Sequence, residues 1–129
     1  MRDLVKAYKV LADESRLRVL NLLLERECCV CEVVQALGIS QSRASRILNA
    51  LYEAGFLKLR RDGLWSLYSI DRDNMSAHLR GVLEATGIAC EDNQQMATDR
   101  ERLKVAERVG PGCVDRVRRA QLSPEPRQA

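Results

Sequence analysis

The chain has 129 residues, of which 46% are apolar and 30% charged, with a formal net charge of +3. That size favours one domain with a modest core. No apolar run nears the roughly 18 residues of a membrane span. The opening Met1-Arg2-Asp3-Leu4 lacks the apolar core of a secretory signal, so a cytoplasmic protein is expected.

In chain order, Leu4, Ala7, Tyr8 and Leu11 repeat at helical spacing and predict a short first helix. Asp13 or Ser15 can cap a second, whose apolar residues Leu17, Leu20, Leu23 and Leu24 run toward Arg26. Val30, Val33, Val34 and Leu37 make a third, amphipathic helix. Gly38 ends it where a glycine is favoured, and Ser40 can cap the next. In that fourth helix Ala44, Ile47, Leu48 and Leu51 form the buried stripe, and Gly55 closes it.

The period then changes. Leu57 and Leu59 alternate with Lys58 and Arg60, as in a half-buried strand. Asp62-Gly63 reads as a two-residue hairpin turn, with Leu64 to Ile70 as the return strand. Helical spacing resumes with Met75, Leu79, Val82 and Leu83, a stripe suited to the core and, with the first helix, to a two-fold interface. A weaker helix is expected from Gln94 to Val109. This order predicts a mostly α protein with a β-hairpin, a dimeric winged helix-turn-helix. Residues 1–109 would form the DNA-binding and dimerisation domain, and 110–129 a flexible C-terminal tail rich in Gly and Pro.

Charge distribution agrees with a nucleic-acid reader. From Ser40 to Trp65 there are five basic residues against two acidic ones. A recognition helix meets base edges with its first turns. Gln41, Ser42, Arg43, Ser45 and Arg46 occupy them, and Gln and Arg can pair bidentately with adenine and guanine. Arg60 and Arg61 at the hairpin tip suit the DNA backbone or minor groove.

Of five cysteines, Cys28, Cys29 and Cys31 stand just before this reader and could supply three sulfurs. In a reducing compartment such a cluster points to metal, redox or catalytic chemistry rather than a disulfide framework. Thiolates select soft ions. In a regular helix residues 29 and 31 would diverge, because successive residues turn by about 100°. Joint chelation therefore calls for an unwound or extended start, and ion binding would distort that first turn. A helix N-terminus would also lower the thiol pKa. A redox switch, structural zinc and plain buried cysteines are the rival readings. Cys90 and Cys113 stand as additional candidate ligands. Asp71, Asp73 and His78 supply only fragments of a zinc site, and His78 reads as an exposed helical residue. A thiol enzyme would need an anion-binding loop beside its nucleophile, and none is visible.

Several of these stretches together resemble the ArsR/SmtB family of bacterial repressors. They are Leu11-Ala-Asp-Glu-Ser-Arg-Leu-Arg-Val-Leu20, Cys29-Val30-Cys31-Glu32, Ser40-Gln41-Ser42 with Ile47, Leu48 and Leu51, and Gly63-Leu64-Trp65 through Tyr68. The resemblance spans residues 4 to 87. It implies a homodimer that represses an arsenic-resistance operon and leaves double-stranded operator DNA when As(III), or Sb(III), binds cysteine thiolates, with no organic cofactor. Redox sensing or Cd/Pb sensing on the same fold is the alternative. The chain departs from the family pattern twice. Arg46 stands where a His is usual, and Val34 where a third Cys commonly follows, so a third ligand must come from elsewhere.

Overall fold

A computed structural model describes residues 1–109. Six helices and three short strands follow in the order α1 (Arg2–Leu11), α2 (Glu14–Glu25), β1 (Cys28–Cys29), α3 (Val30–Leu37), α4 (Gln41–Glu53), β2 (Leu57–Asp62), β3 (Trp65–Ile70), α5 (Ala77–Glu91) and α6 (Gln94–Lys104). The fold is a winged helix-turn-helix: α3 and α4 form the helix pair, and β2 and β3 the wing.

The caps follow the sequence closely. Asp13 starts α2 by accepting the Arg16 N–H at 3.0 Å. Ser40 starts α4 by accepting the Arg43 N–H at 3.1 Å. Gly38 ends α3 with φ 71°, a conformation that costs a glycine little.

α2 is the axis of the core. Val19 through Leu23 are buried without a break, so this helix is covered on all sides where a single stripe was expected. Phe56, Leu48 and Leu51 complete the packing from α4 and the wing, and all three are fully buried. α6 packs on α2 and α3. Its polar latch is Asp99, fully buried, which takes two bonds from Arg18 at 2.8 and 2.9 Å. Asn21 donates to the Met96 carbonyl at 3.1 Å and accepts from Arg100 at 2.7 Å, so its burial is fully compensated.

Four expectations need correction. The wing loop is Gly63-Leu64, because Asp62 pairs with Trp65 across the hairpin. Gly63, at φ 63°, sits at the first loop position, and among the described residues no non-glycine residue has positive φ. That matches the hairpin turn whose first central residue must be glycine. Leu59 is 42% exposed where a half-buried strand was expected. Met75 precedes α5 and is buried with Leu79 and Leu83 in the core. The apolar surface left on α1 and α5 is instead Val5, Tyr8 and Ile88, with half-buried Leu4 and Val82. Finally, α6 stops at Lys104 and residues 105–109 run on as a non-helical strap. Val105 and Ala106 still donate to the Arg102 and Leu103 carbonyls, and beyond them the Glu107 backbone pairs with Gln35 of α3.

Candidate thiol site and nucleic-acid interface

The cysteines occupy a third strand that was not expected. β1 pairs antiparallel with β3, placing Cys28 opposite Tyr68 and Cys29 opposite Leu67. The sheet order is β1-β3-β2, so the cysteines hydrogen-bond directly to the wing.

Adjacent strand residues face opposite sides. Cys28 accordingly enters the main core, where its thiol lies 3.4 Å from the Arg26 carbonyl. Cys29 and Cys31 form a second small cluster with Leu67, covered by Trp65 and Val109. Their sulfurs are 3.0 Å apart. The reason is local. Cys29 is the N-cap of α3, extended at φ −92° and ψ 170°, and Cys31 lies in the first turn. The divergence expected of a regular helix does not arise, and no unwinding is needed to bring the two sulfurs together.

Glu32 organises the charge around the pair. Its carboxylate is almost fully buried. It accepts the Cys29 N–H at 2.9 Å, Arg26 at 2.6 Å and Arg108 at 3.1 Å. Burial alone would raise its pKa, but the Cys29 N–H and the two guanidiniums outweigh it and hold the carboxyl below its ordinary value. The thiols go the other way. Burial, followed by the Glu32 charge, pushes Cys28 up to about 12. The shared hydrogen bond with Cys31, then burial, raises Cys29. The helix N-terminus therefore does not make Cys28 or Cys29 acidic, contrary to expectation.

The strap closes over the pair. Gln35 donates to the Glu107 carbonyl at 2.8 Å and accepts the Glu107 N–H at 2.9 Å, pairing as a second peptide would. The Cys31 thiol lies 3.9 Å from the same carbonyl. The Trp65 indole N–H donates to the Val109 carbonyl. Gln35, Trp65 and Arg108 were missed in the sequence. Only the Gln35 position, one turn beyond Cys31 on α3, offered any signal.

Among the remaining candidates, Cys90 is buried at the end of α5, its carbonyl accepting from Arg100, and it belongs to neither apolar cluster. His78 is exposed on α5 beside Ser76, as expected, and Asp71 pairs with Asn74. Asp73 is exposed. Cys113 lies outside the described residues. Among the described residues no three His, Cys, Asp or Glu side chains stand close enough to hold one ion.

On α4, Ser42, Arg43 and Arg46 are exposed and Gln41 and Ser45 half-buried, opposite the buried Ala44, Ile47, Leu48 and Leu51. Arg43 is tied to the Ser15 hydroxyl at 2.6 Å. Arg60 turns back to pair with Glu27 through two bonds of 2.8 Å and holds the Glu27 carboxyl below its ordinary value. Arg61 is exposed at the tip of β2.

A profile described as "Bacterial regulatory protein, arsR family" matches residues 13–58. An HTH-type transcriptional regulator of Methanocaldococcus jannaschii is 36% identical over 78 residues, covering 60% of this chain and 88% of that protein. The chain belongs to the arsR family. This arsR-family chain is also 43% identical over 82 residues to the arsenic resistance transcriptional regulator ArsR1 of Pseudomonas putida, covering 60% of this chain and 64% of that protein. The homodimeric winged helix-turn-helix DNA-binding domain of a possible ArsR-family regulator from Mycobacterium bovis superposes with a TM-score of 0.59 at 25% identity, over 72% of this chain and 82% of that one. The arsR family is one of regulatory proteins, not of thiol enzymes.

Proposed function

We propose that this chain is a homodimeric repressor of an arsenical-resistance operon that releases its operator when As(III), with Sb(III) as a second candidate, is bound by Cys29 and Cys31. The observation that carries the reading is the 3.0 Å approach of two thiols at the start of the helix-turn-helix. The pair fits a soft ion. Two sulfurs bonded to one ion at roughly the 2.3 Å of a zinc–thiolate bond can stand up to about 4.6 Å apart. The name of the P. putida relative supports arsenic as the ion. Cys28, turned into the core, is left out of this ligand set.

The route from thiols to DNA is short. Cys29 caps α3, which packs on α4, and it lies opposite Leu67, which in turn lies opposite Arg60 on the wing. A shift at the cap therefore acts on the recognition helix and on the wing together. Coupling energies of about 1–3 kcal/mol are typical of such linkage. Gln41, Ser42, Ser45 and Arg46 would face base edges, with Arg61 on the backbone. Arg43 and Arg60, tied within the chain, would take a lesser part. The apolar surface of α1 and α5 would pair about a two-fold axis, as the homodimeric M. bovis domain encourages. No described helix is long and apolar enough to cross a membrane, which fits cytoplasmic work on DNA.

The same sulfur distance supports a second reading, a redox switch, in which peroxide takes two thiols to a disulfide and leaves two waters. Titrating a protein–operator complex with As(III), Sb(III), Cd(II), Zn(II) and peroxide separates these readings. Release at the lowest concentration by As(III) supports the metalloid sensor, and release by peroxide alone moves the protein to the redox class.

A further inference from the structure

We infer that Gln35 and the strap of residues 105–109 form a gate over the Cys29/Cys31 pair, and that an ion or reagent reaches the two sulfurs only when the Gln35–Glu107 clamp lets the strap lift. The inference rests on the reading of that pair as the sensing site, whichever soft ion it senses.

The pair is sealed. Cys29 is 3% exposed and Cys31 2%, under a cover of Leu67, Trp65 and Val109. Leu67 and Trp65 are fixed parts of that cover, because both stand on β3, the central strand of the sheet, paired with β1 on one edge and β2 on the other. Val109 belongs to the strap, which is held differently. Val105 and Ala106 bond back to carbonyls of α6. Beyond Ala106, among the described residues, no bond from main chain to main chain holds it. Side chains do so instead. The Gln35 amide takes both peptide groups of Glu107 at 2.8 and 2.9 Å, Glu32 takes Arg108 at 3.1 Å, and the Trp65 indole N–H takes the Val109 carbonyl. A segment with so few backbone bonds opens locally at far lower cost than the fold as a whole.

Gln35 is the latch because it meets the strap and the thiol at one place. The Glu107 carbonyl that it holds lies 3.9 Å from the Cys31 sulfur. The same amide donates to the Cys31 carbonyl at 3.0 Å, which anchors the latch one turn from the thiol it guards. Trivalent arsenic bonded to two sulfurs still carries a third group, and a pair this enclosed has no space for one while the strap is down. Entry therefore requires the strap to move, and the rate of entry follows the fraction of molecules in which the clamp is open.

The test is pulse labelling of the full-length reduced protein with iodoacetamide, which alkylates a thiol it can reach as iodide leaves. Peptide fragmentation reads Cys28, Cys29 and Cys31 separately. Cys28, on the opposite face of β1 in the main core, reports any wider unfolding. Gln35→Ala should speed labelling of Cys29 and Cys31 by roughly 10-fold, equivalent to about 1.4 kcal/mol of lost clamp, with Cys28 unchanged. Glu107→Pro deletes the clamped N–H from the strap's side, leaves α3 intact and should act likewise. Arsenite association, followed in stopped flow by the fluorescence of the single Trp65, should quicken with the labelling in both variants. Unchanged labelling of the pair in Gln35→Ala would overturn the inference. So would a rise in Gln35→Ala alone, which would mark a disturbance of α3, or a rise of Cys28 in step with the pair. Faster labelling with an unchanged arsenite association rate would overturn it as well. Arsenite that fails to protect Cys29 and Cys31 of wild type from labelling would instead overturn the metalloid reading, and the gate would then stand or fall on the labelling rates alone.

Discussion

Glu32 is the group on which the thiol site's geometry depends, and Glu32→Ala tests that dependence. The carboxylate caps the Cys29 N–H at 2.9 Å and pairs with Arg26 and Arg108 while its own side chain is 3% exposed. Removing one partner of a fully buried pair costs about 3–5 kcal/mol, mostly through the charge left behind. Here the charges left behind are Arg26 and Arg108, at 36% and 28% exposure, and both can turn to water. Screening on that side lowers the figure, while loss of the helix cap adds about 1 kcal/mol, so a net loss of about 2–3 kcal/mol is expected. Glu32→Gln keeps an acceptor for Cys29 and gives up the charge, so it should lose about 1 kcal/mol. Urea unfolding of the reduced protein without added ions measures both. If Glu32→Ala lay within about 0.5 kcal/mol of wild type, as an ordinary surface substitution does, the organising role would be wrong.

Further outcomes follow from contacts elsewhere in the fold. Gln35→Ala should free the strap, seen as faster hydrogen exchange at the Glu107 amide with α2 protection unchanged; continued slow exchange there would show that the strap is held by other means. Arg46→Ala should cost about 1–3 kcal/mol of operator affinity and relax sequence preference, and Arg61→Ala should lower the salt slope by about 1 with little effect on preference. Arg60→Ala, already paired with Glu27, should do less than either in the same anisotropy titrations. Asp99→Ala should cost about 3 kcal/mol, because the buried Asp99 is the main partner of Arg18 and that guanidinium keeps 19% exposure; a calorimetric melting temperature unchanged from wild type would remove α6 from the folded core.

Much of the fold was legible because α1 to α5 carry apolar residues at helical spacing over two turns or more, and because Asp13, Ser40 and Gly38 mark boundaries by chemistry that acts locally. β1 was not legible. Two residues show no period, and Cys28-Cys29 becomes a strand only because β3 arrives from about forty positions later to pair with it. That strand is why the three-cysteine reading separates into a pair and a core residue. The end of α6 was hidden for a similar reason: residues 105–109 could continue a helix, but the Gln35 amide and the Trp65 indole, both distant in sequence, claim their backbone. The wing turn slipped by one because Asp-Gly suits a two-residue loop, whereas the strand register puts the glycine at the loop's first position. For the nucleic-acid face, residue type and helix position located the exposed Ser42, Arg43 and Arg46, but the ties of Arg43 to Ser15 and Arg60 to Glu27 appear only in three dimensions.

The central claim is that the Cys29/Cys31 pair converts a soft ion into DNA release. The most direct measurement is fluorescence anisotropy of a labelled self-operator duplex bound by reduced protein, titrated with arsenite, for wild type, Cys29→Ser and Cys31→Ser. The account predicts release from wild type and retention by both variants, with equal operator affinity before arsenite is added. Release from either variant at the wild-type arsenite concentration would contradict it.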